Sequence, residues 1–168
     1  GSWQCALVSG PSQDPMLLCV DRTINLCRPC DSDADCKSTQ LGIGQDDRCL
    51  NFGEGLGSFC GLSCDDGKSC PEGYMCEPRE DGEVSTHQCV PEDSTCSCSW
   101  WATNQESSSP CYRGGCQGTI SCASGELTEC DAPAPEAELC NSIDDDCDGK
   151  IDEGYIAVDT ACGGESCD

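Results

Sequence analysis

Basic residues are scarce in this sequence. Eight Lys and Arg stand against 32 Asp and Glu, giving a formal net charge of −24. Gripping a phosphate backbone takes Lys and Arg, so nucleic acid is not an expected partner. The same field repels anionic membranes. Histidine is almost absent: His87 stands alone, so a Ser or Cys nucleophile has at most one candidate base. Carboxylate pairs are everywhere, and none stands out as an acid–base couple. The chain therefore reads as not an enzyme. Long apolar runs are missing as well, against the ~20 residues a membrane-spanning helix needs, and no membrane insertion is expected. There is no Asn-x-Ser/Thr acceptor for sugar. The start at Gly1-Ser2, without Met, fits a chain processed upstream of that point.

Core-forming residues are few too. Leu, Ile, Val and Phe together number 23 of 168, and aromatics make up 5%. Composition of this kind, with this charge, belongs to disordered chains. Such a sequence cannot bury enough apolar surface to offset about 1–2 kcal/mol of backbone ordering per residue.

What it does have is cysteine. Twenty-one Cys in 168 residues is the density of a disulfide scaffold, and that implies an oxidising, extracellular or cell-surface setting. A crosslink closing a loop of about 15 residues contributes roughly 3 kcal/mol in the chain-entropy picture. Gly, Pro, Ser and Asp recur every few residues, so turns dominate. The expected fold class is small and disulfide-rich, mostly irregular with short β-hairpins: tandem Cys-rich modules plus an EF-like calcium loop without EF-hand helices.

The cysteines suggest a division. Residues 1–26 are an N-terminal segment in which Met16-Leu17-Leu18-Cys19-Val20 reads as a strand. Residues 27–92 form an EGF- or knottin-like Cys-rich module of two half-units, Cys27 to Cys60 and Cys64 to Cys89. Each half has an acidic turn between cysteines about six residues apart. Residues 93–133 form a second module with Trp100-Trp101 expected as its local core, or else as a platform for a ligand. A stiff Pro-containing linker leads into a calcium-binding loop within 134–156. Residues 157–168, with Cys162 and Cys167, read as the start of a further unit or a tail. An odd count of cysteines leaves at least one without a partner in the chain: paired beyond it, bonded to a second chain, or free.

The chemistry concentrates in Cys140-Asn141-Ser142-Ile143-Asp144-Asp145-Asp146-Cys147-Asp148-Gly149-Lys150-Ile151-Asp152-Glu153. Ca²⁺ takes six to eight hard oxygen ligands. Asp144, Asp146 and Asp148 alternate, so their side chains can turn inward together, and Gly149 permits the sharp turn that follows. This is the first half of the EF-hand pattern D-x-[DN]-x-[DN]-G. The Lys150 carbonyl falls at the backbone-ligand position, and Ile151 is expected to pack inward. Asp152 and Glu153 stand where the shell must close, because the twelfth position is Tyr155. The expected metal residues are Asp144, Asp146, Asp148, Lys150, Asp152 and Glu153, and the expected ion is Ca²⁺. Cys140 and Cys147 are expected to pair and brace the loop. A second acidic turn, Asp31, Asp33 and Asp35, has the alternation but not the Gly, and reads as turn chemistry.

Glu138-Leu139-Cys140-Asn141 through Glu153-Gly154 resembles the MopE-type metal-binding motif of secreted, Cys-rich surface proteins of myxobacteria and related bacteria. The resemblance covers about twenty residues. It implies an extracellular structural or adhesive module of a bacterial surface protein or surface filament, with self-association, an inter-chain disulfide, or other surface proteins and glycans as partners. A secreted ligand-binding or receptor module that uses Trp100-Trp101 is the other class of function consistent with the residues.

Overall fold

The computed structural model describes residues 3–9, 14–37, 42, 44–81 and 84–154. Its elements are short because a turn former interrupts every apolar run. Four small antiparallel sheets account for the strands among the described residues, with one five-residue helix. The first sheet pairs β1 (Trp3–Ser9) with β2 (Pro15–Asp21), and Cys5 lies directly opposite Cys19, to which it is bonded.

The two half-units share one plan. Cys30 bonds Cys49 and Cys36 bonds Cys60; Cys64 bonds Cys76 and Cys70 bonds Cys89. In each, first pairs with third and second with fourth. In each, the third and fourth cysteines face one another across a hairpin. Cys49 opposes Cys60 where β3 (Cys49–Asn51) meets β4 (Ser58–Cys60). Cys76 opposes Cys89 where β6 (Tyr74–Asp81) meets β7 (Val84–Pro91). Neither opposed pair is bonded to itself, so each hairpin is clamped back onto the segment before it. A short strand, β5 (Leu62–Ser63), adds to the free edge of β7.

The third part consists of α1 (Trp100–Asn104), β8 (Ser108–Arg113), β9 (Cys116–Ala123) and β10 (Glu126–Leu127). Ser99 caps α1, its Oγ accepting from the Ala102 N–H at 3.1 Å. Trp100-Trp101 does not form the local core as expected. Trp100 is 77% exposed and Ala102 is the fully buried residue of the turn. Neighbours on a helix project about 100° apart, so two adjacent tryptophans cannot both face inward, and the small residue takes the tight contact.

The expected boundary at 92/93 does not separate two cores. One cluster joins Cys27, Phe59, Cys96, Cys111, Ile120, Cys130 and Ala132, with Phe52, Tyr74 and Leu127 packed against it. The Cys27–Cys96 bond crosses the boundary. So do hydrogen bonds from Ser58 N–H to Ser109 Oγ at 2.8 Å and from Gly55 N–H to the Tyr112 carbonyl at 2.7 Å. Segments this poor in apolar side chains bury more by sharing a core than by dividing it. The linker expected after Asp131 begins inside that core, with Ala132 crossing over β9 at Gly118, where a Cβ would overlap the Ala132 backbone nitrogen.

Replacing both Cys27 and Cys96 with Ala is expected to cost about 2–4 kcal/mol. Guanidinium unfolding checks this. The two regions are expected still to unfold in a single transition, because they share Phe59 and Ile120; two resolved transitions would show separate cores.

Candidate metal centre

The acidic loop is seated on the turn between β8 and β9. That turn is Gly114-Gly115, both with positive φ. A Cβ on Gly114 would overlap the Pro135 ring, and one on Gly115 would lie 2.7 Å from the Cys147 carbonyl oxygen. The glycines thus admit the incoming chain and the loop. The Cys116–Cys147 disulfide then fixes the contact. The expected Cys140–Cys147 bond is therefore not the one formed. Cys140 is disulfide-bonded as well, but Cys147 is committed to the β9 strand. The cause is the glycine turn, which brings β9 within reach of the loop.

Within the loop, most backbone N–H groups from Asn141 to Asp152 find a carboxylate or amide oxygen. Asp146 accepts from Asp148 N–H at 3.1 Å and Asp144 from Gly149 N–H at 3.0 Å. Asp148 accepts from Lys150 N–H at 3.0 Å and ion-pairs its Nζ at 2.8 Å. Gly149 adopts φ +93°, the left-handed conformation its position in the motif calls for. Ser142, Cys147 and Asp152 also have positive φ, so the carboxylates are gathered by a tightly wound chain and not by helices.

Glu138 organises the loop from outside it. Its Oε1 accepts from the N–H groups of Asp145 at 2.7 Å and Asp146 at 3.0 Å, and its Oε2 from Asp152 N–H at 2.7 Å. Carboxylate oxygens of Glu138, Asp144 and Asp146 lie within 4.8 Å of one another, and so do those of Asp146, Asp148 and Glu153. Asp146 belongs to both groups, so five carboxylates form one continuous cluster. Two oxygens in it, Asp144 Oδ1 and Glu153 Oε2, are shielded from water and have no hydrogen-bond donor.

Four of the six expected metal residues, Asp144, Asp146, Asp148 and Glu153, meet in this cluster. Asp152 does not join it: its carboxylate accepts from Asn141 N–H at 2.9 Å and Ser142 N–H at 3.1 Å. The Lys150 ammonium sits on the rim, held by Asp148. Ile151 is 59% exposed and does not anchor the loop; the Cys116–Cys147 bond does. Tyr155, Cys162 and Cys167 lie outside the described residues. Glu138 precedes the alternating repeat, so alternation within the loop does not point to it. Its signal was the leading Glu of the quoted motif, and its role depends on a chain reversal that places it beneath Asp145 and Asp146.

Charge leaves its mark on the cluster. The Glu153 carboxyl is pushed above its ordinary value. A backbone hydrogen bond pulls it down, but desolvation and the charges of Asp148, Glu138 and Asp146 together outweigh that bond. Asp148 is held below the usual carboxylate range by hydrogen bonds from the Lys150 side chain and backbone. Lys150 is raised by the same pair.

The remaining candidate, Asp31, Asp33 and Asp35, is occupied by structural work. Asp35 accepts from the Asp31 and Ser32 N–H groups at 3.0 and 2.8 Å, and Asp33 from Cys49 N–H at 2.8 Å. Asp33 also pairs with Arg48 and Lys37. No protein-family description, curated protein or solved structure matches the chain.

The shifts predict a pH dependence. Glu153 has a raised value in the fold, so its contribution is fully present below the unfolded value and is lost as pH rises through the folded one. Asp148 has the opposite sign and matters only in more acidic solution. In chelator, protease cleavage within 138–153 is therefore expected to be faster near neutrality than at mildly acidic pH. Glu138→Ala is expected to speed it at both, since three N–H groups lose their acceptor. Equal cleavage rates at the two pH values would show that Glu153 carries no net penalty.

Proposed function

We propose that this chain is a calcium-stiffened structural module of an extracellular protein, of the kind found in bacterial surface proteins or surface filaments. The observation that carries the reading is the five-carboxylate cluster with two shielded oxygens that have no donor. An uncompensated group of this kind is costly, and a divalent cation relieves the cost at every carboxylate at once. The donors are all oxygen, which suits Ca²⁺ and not a thiolate- or imidazole-seeking metal. Glu138, Asp144, Asp146, Asp148 and Glu153 supply the carboxylates. The Lys150 carbonyl is the backbone ligand expected from the motif, and Asp152 braces the turn. The protein's own cation, Lys150, touches only Asp148.

The disulfide density is that of a module built for an oxidising, extracellular space. Calcium acts there as one more crosslink. It ties Glu138 at the foot of the loop to Glu153 at its end, on a base already bolted to β9 by Cys116–Cys147. No catalytic step is assigned to any residue. A second reading, a ligand-binding module, is favoured by one feature: the exposed Trp100 indole beside Trp101, with ring centres 6.4 Å apart. A saturable complex that Trp100→Ala abolishes would support it.

Isothermal titration of the intact, oxidised protein tests the calcium reading. One Ca²⁺ is expected to bind with an affinity in the extracellular range, about 10⁻⁴–10⁻³ M. At ten times the dissociation constant this stabilises the fold by about 1.4 kcal/mol. Asp146→Asn, which touches both carboxylate groups, is expected to weaken binding more than Asp152→Asn. No saturable heat at millimolar Ca²⁺, together with protease resistance unchanged by chelator, would sink the proposal.

A further inference from the structure

The N-terminal hairpin is built unlike the rest of the molecule. From Trp3 to Asp21 the only charged residues are Asp14 and Asp21, in a chain of net charge −24. Of the thirteen large hydrophobic residues exposed among the described residues, Trp3, Leu7, Met16, Leu17 and Leu18 lie on its two strands. Two strands form the whole of this sheet, so each has an outer edge with no neighbour among the described residues. A two-stranded hairpin is marginal by itself in water. The Cys5–Cys19 bond keeps this one closed.

The register sorts the side chains by face. Opposed residues share a face, so Trp3, Cys5, Leu7, Leu17, Cys19 and Asp21 lie together, and Gln4, Ala6, Val8, Met16, Leu18 and Val20 lie on the other side. The apolar residues of the first group are all exposed, with Leu7 at 73%, Trp3 at 65% and Leu17 at 64%, and Asp21 is half-buried at its base. At the base of the face Trp3 lines a 510 Å³ cleft with Arg22, Leu62, Lys68, Cys70 and Pro71, a recess more polar than the face itself.

We infer that this face is a self-association surface, and that its occupant is the same face of a second copy of this chain. Charge and area both point there. Two copies meeting through their bodies would press together surfaces with a fourfold excess of acid over base. Meeting through the hairpins brings mostly apolar side chains and a disulfide into contact, with Asp21 the one carboxylate among the paired residues of the face. The face presents on the order of 400 Å² of apolar surface, the size of the largest patch on an ordinary monomer. Two copies together bury about 800 Å², the size of a weak, reversible contact. The two faces stack about 10 Å apart, as sheets do, and the contact is isologous. Leu7 and Leu17, cross-strand partners at its centre, meet their counterparts around the two-fold axis. Repulsion between the acidic bodies makes the dimer tighter in salt.

Sedimentation equilibrium of the intact, oxidised protein tests this, in chelator and again in calcium. A dimer of about 35 kDa, twice the 17.7 kDa chain, is expected at high micromolar concentration. Its dissociation constant should fall as salt is raised. The double variant Leu7→Glu/Leu17→Lys replaces the apolar pair with an opposed ion pair that suits a hairpin. It should retain the Cys5–Cys19 bond in a peptide map and weaken the dimer at least about 100-fold. Met75→Gln, at an exposed site on β6, should leave it unchanged. A wild-type chain that stays monomeric at millimolar concentration in high salt overturns the inference. So does a dimer indifferent to the double variant, or one that Met75→Gln also dissolves. Since the dimer is expected in chelator, failure of the calcium reading leaves this result standing.

Discussion

Disulfides stand where another protein would have a hydrophobic core. Among the described residues, eleven of the nineteen buried apolar ones are cysteines, and all three core clusters contain them. The bonds do two things at once. They limit the unfolded chain, and their sulfurs fill the space between short hairpins as compact apolar groups. A few large side chains such as Phe52 and Phe59, set edge to face at 5.5 Å, fill the gaps the sulfurs leave. Charge is then free to accumulate on the outside, because folding does not depend on a wide apolar surface closing over it.

That division explains the placement of the acidic loop. A cluster of five carboxylates opposes folding wherever it sits. Here it sits on a turn made of two glycines and is held by one covalent bond to β9. The loop draws its order from backbone N–H groups pointing at carboxylates, above all the three that converge on Glu138. Such an arrangement tolerates the charge without cancelling it, and it leaves two oxygens free. The proposed Ca²⁺ and the disulfides belong to one strategy, in which crosslinks stand in for buried area. The N-terminal hairpin departs from it. There apolar side chains are abundant and nothing in the described chain covers them, which is the pattern of a surface completed by another molecule.

Much of this was legible in the residues. The cysteine density against so few aliphatic side chains implied crosslinked hairpins, and the structure has them. The similar spacing of Cys30–Cys36 and Cys64–Cys70 hinted at a repeated unit, and both halves carry the same interleaved pairing. Alternating Asp144, Asp146 and Asp148 before Gly149 located the acidic cluster, because alternation and a glycine turn are local properties.

Other features were decided only by tertiary contact. Cys147 bonds Cys116 and not Cys140 because Gly114-Gly115 lets the loop dock on β9, and sequence distance carries no trace of that docking. Asp152 and Glu138 are separated in role by the path of the chain. One faces the Asn141 and Ser142 amides, while the other reaches back under Asp145 and Asp146. The 92/93 boundary dissolves because Phe59 and Ile120 come from either side of it into one cluster. By itself the sequence determined how this chain could be stable and where its charge would gather, since composition and short-range pattern fix both. Which sulfur met which, and which carboxylate joined the cluster, awaited the folded chain, because such pairings depend on distances between segments that local preference does not set.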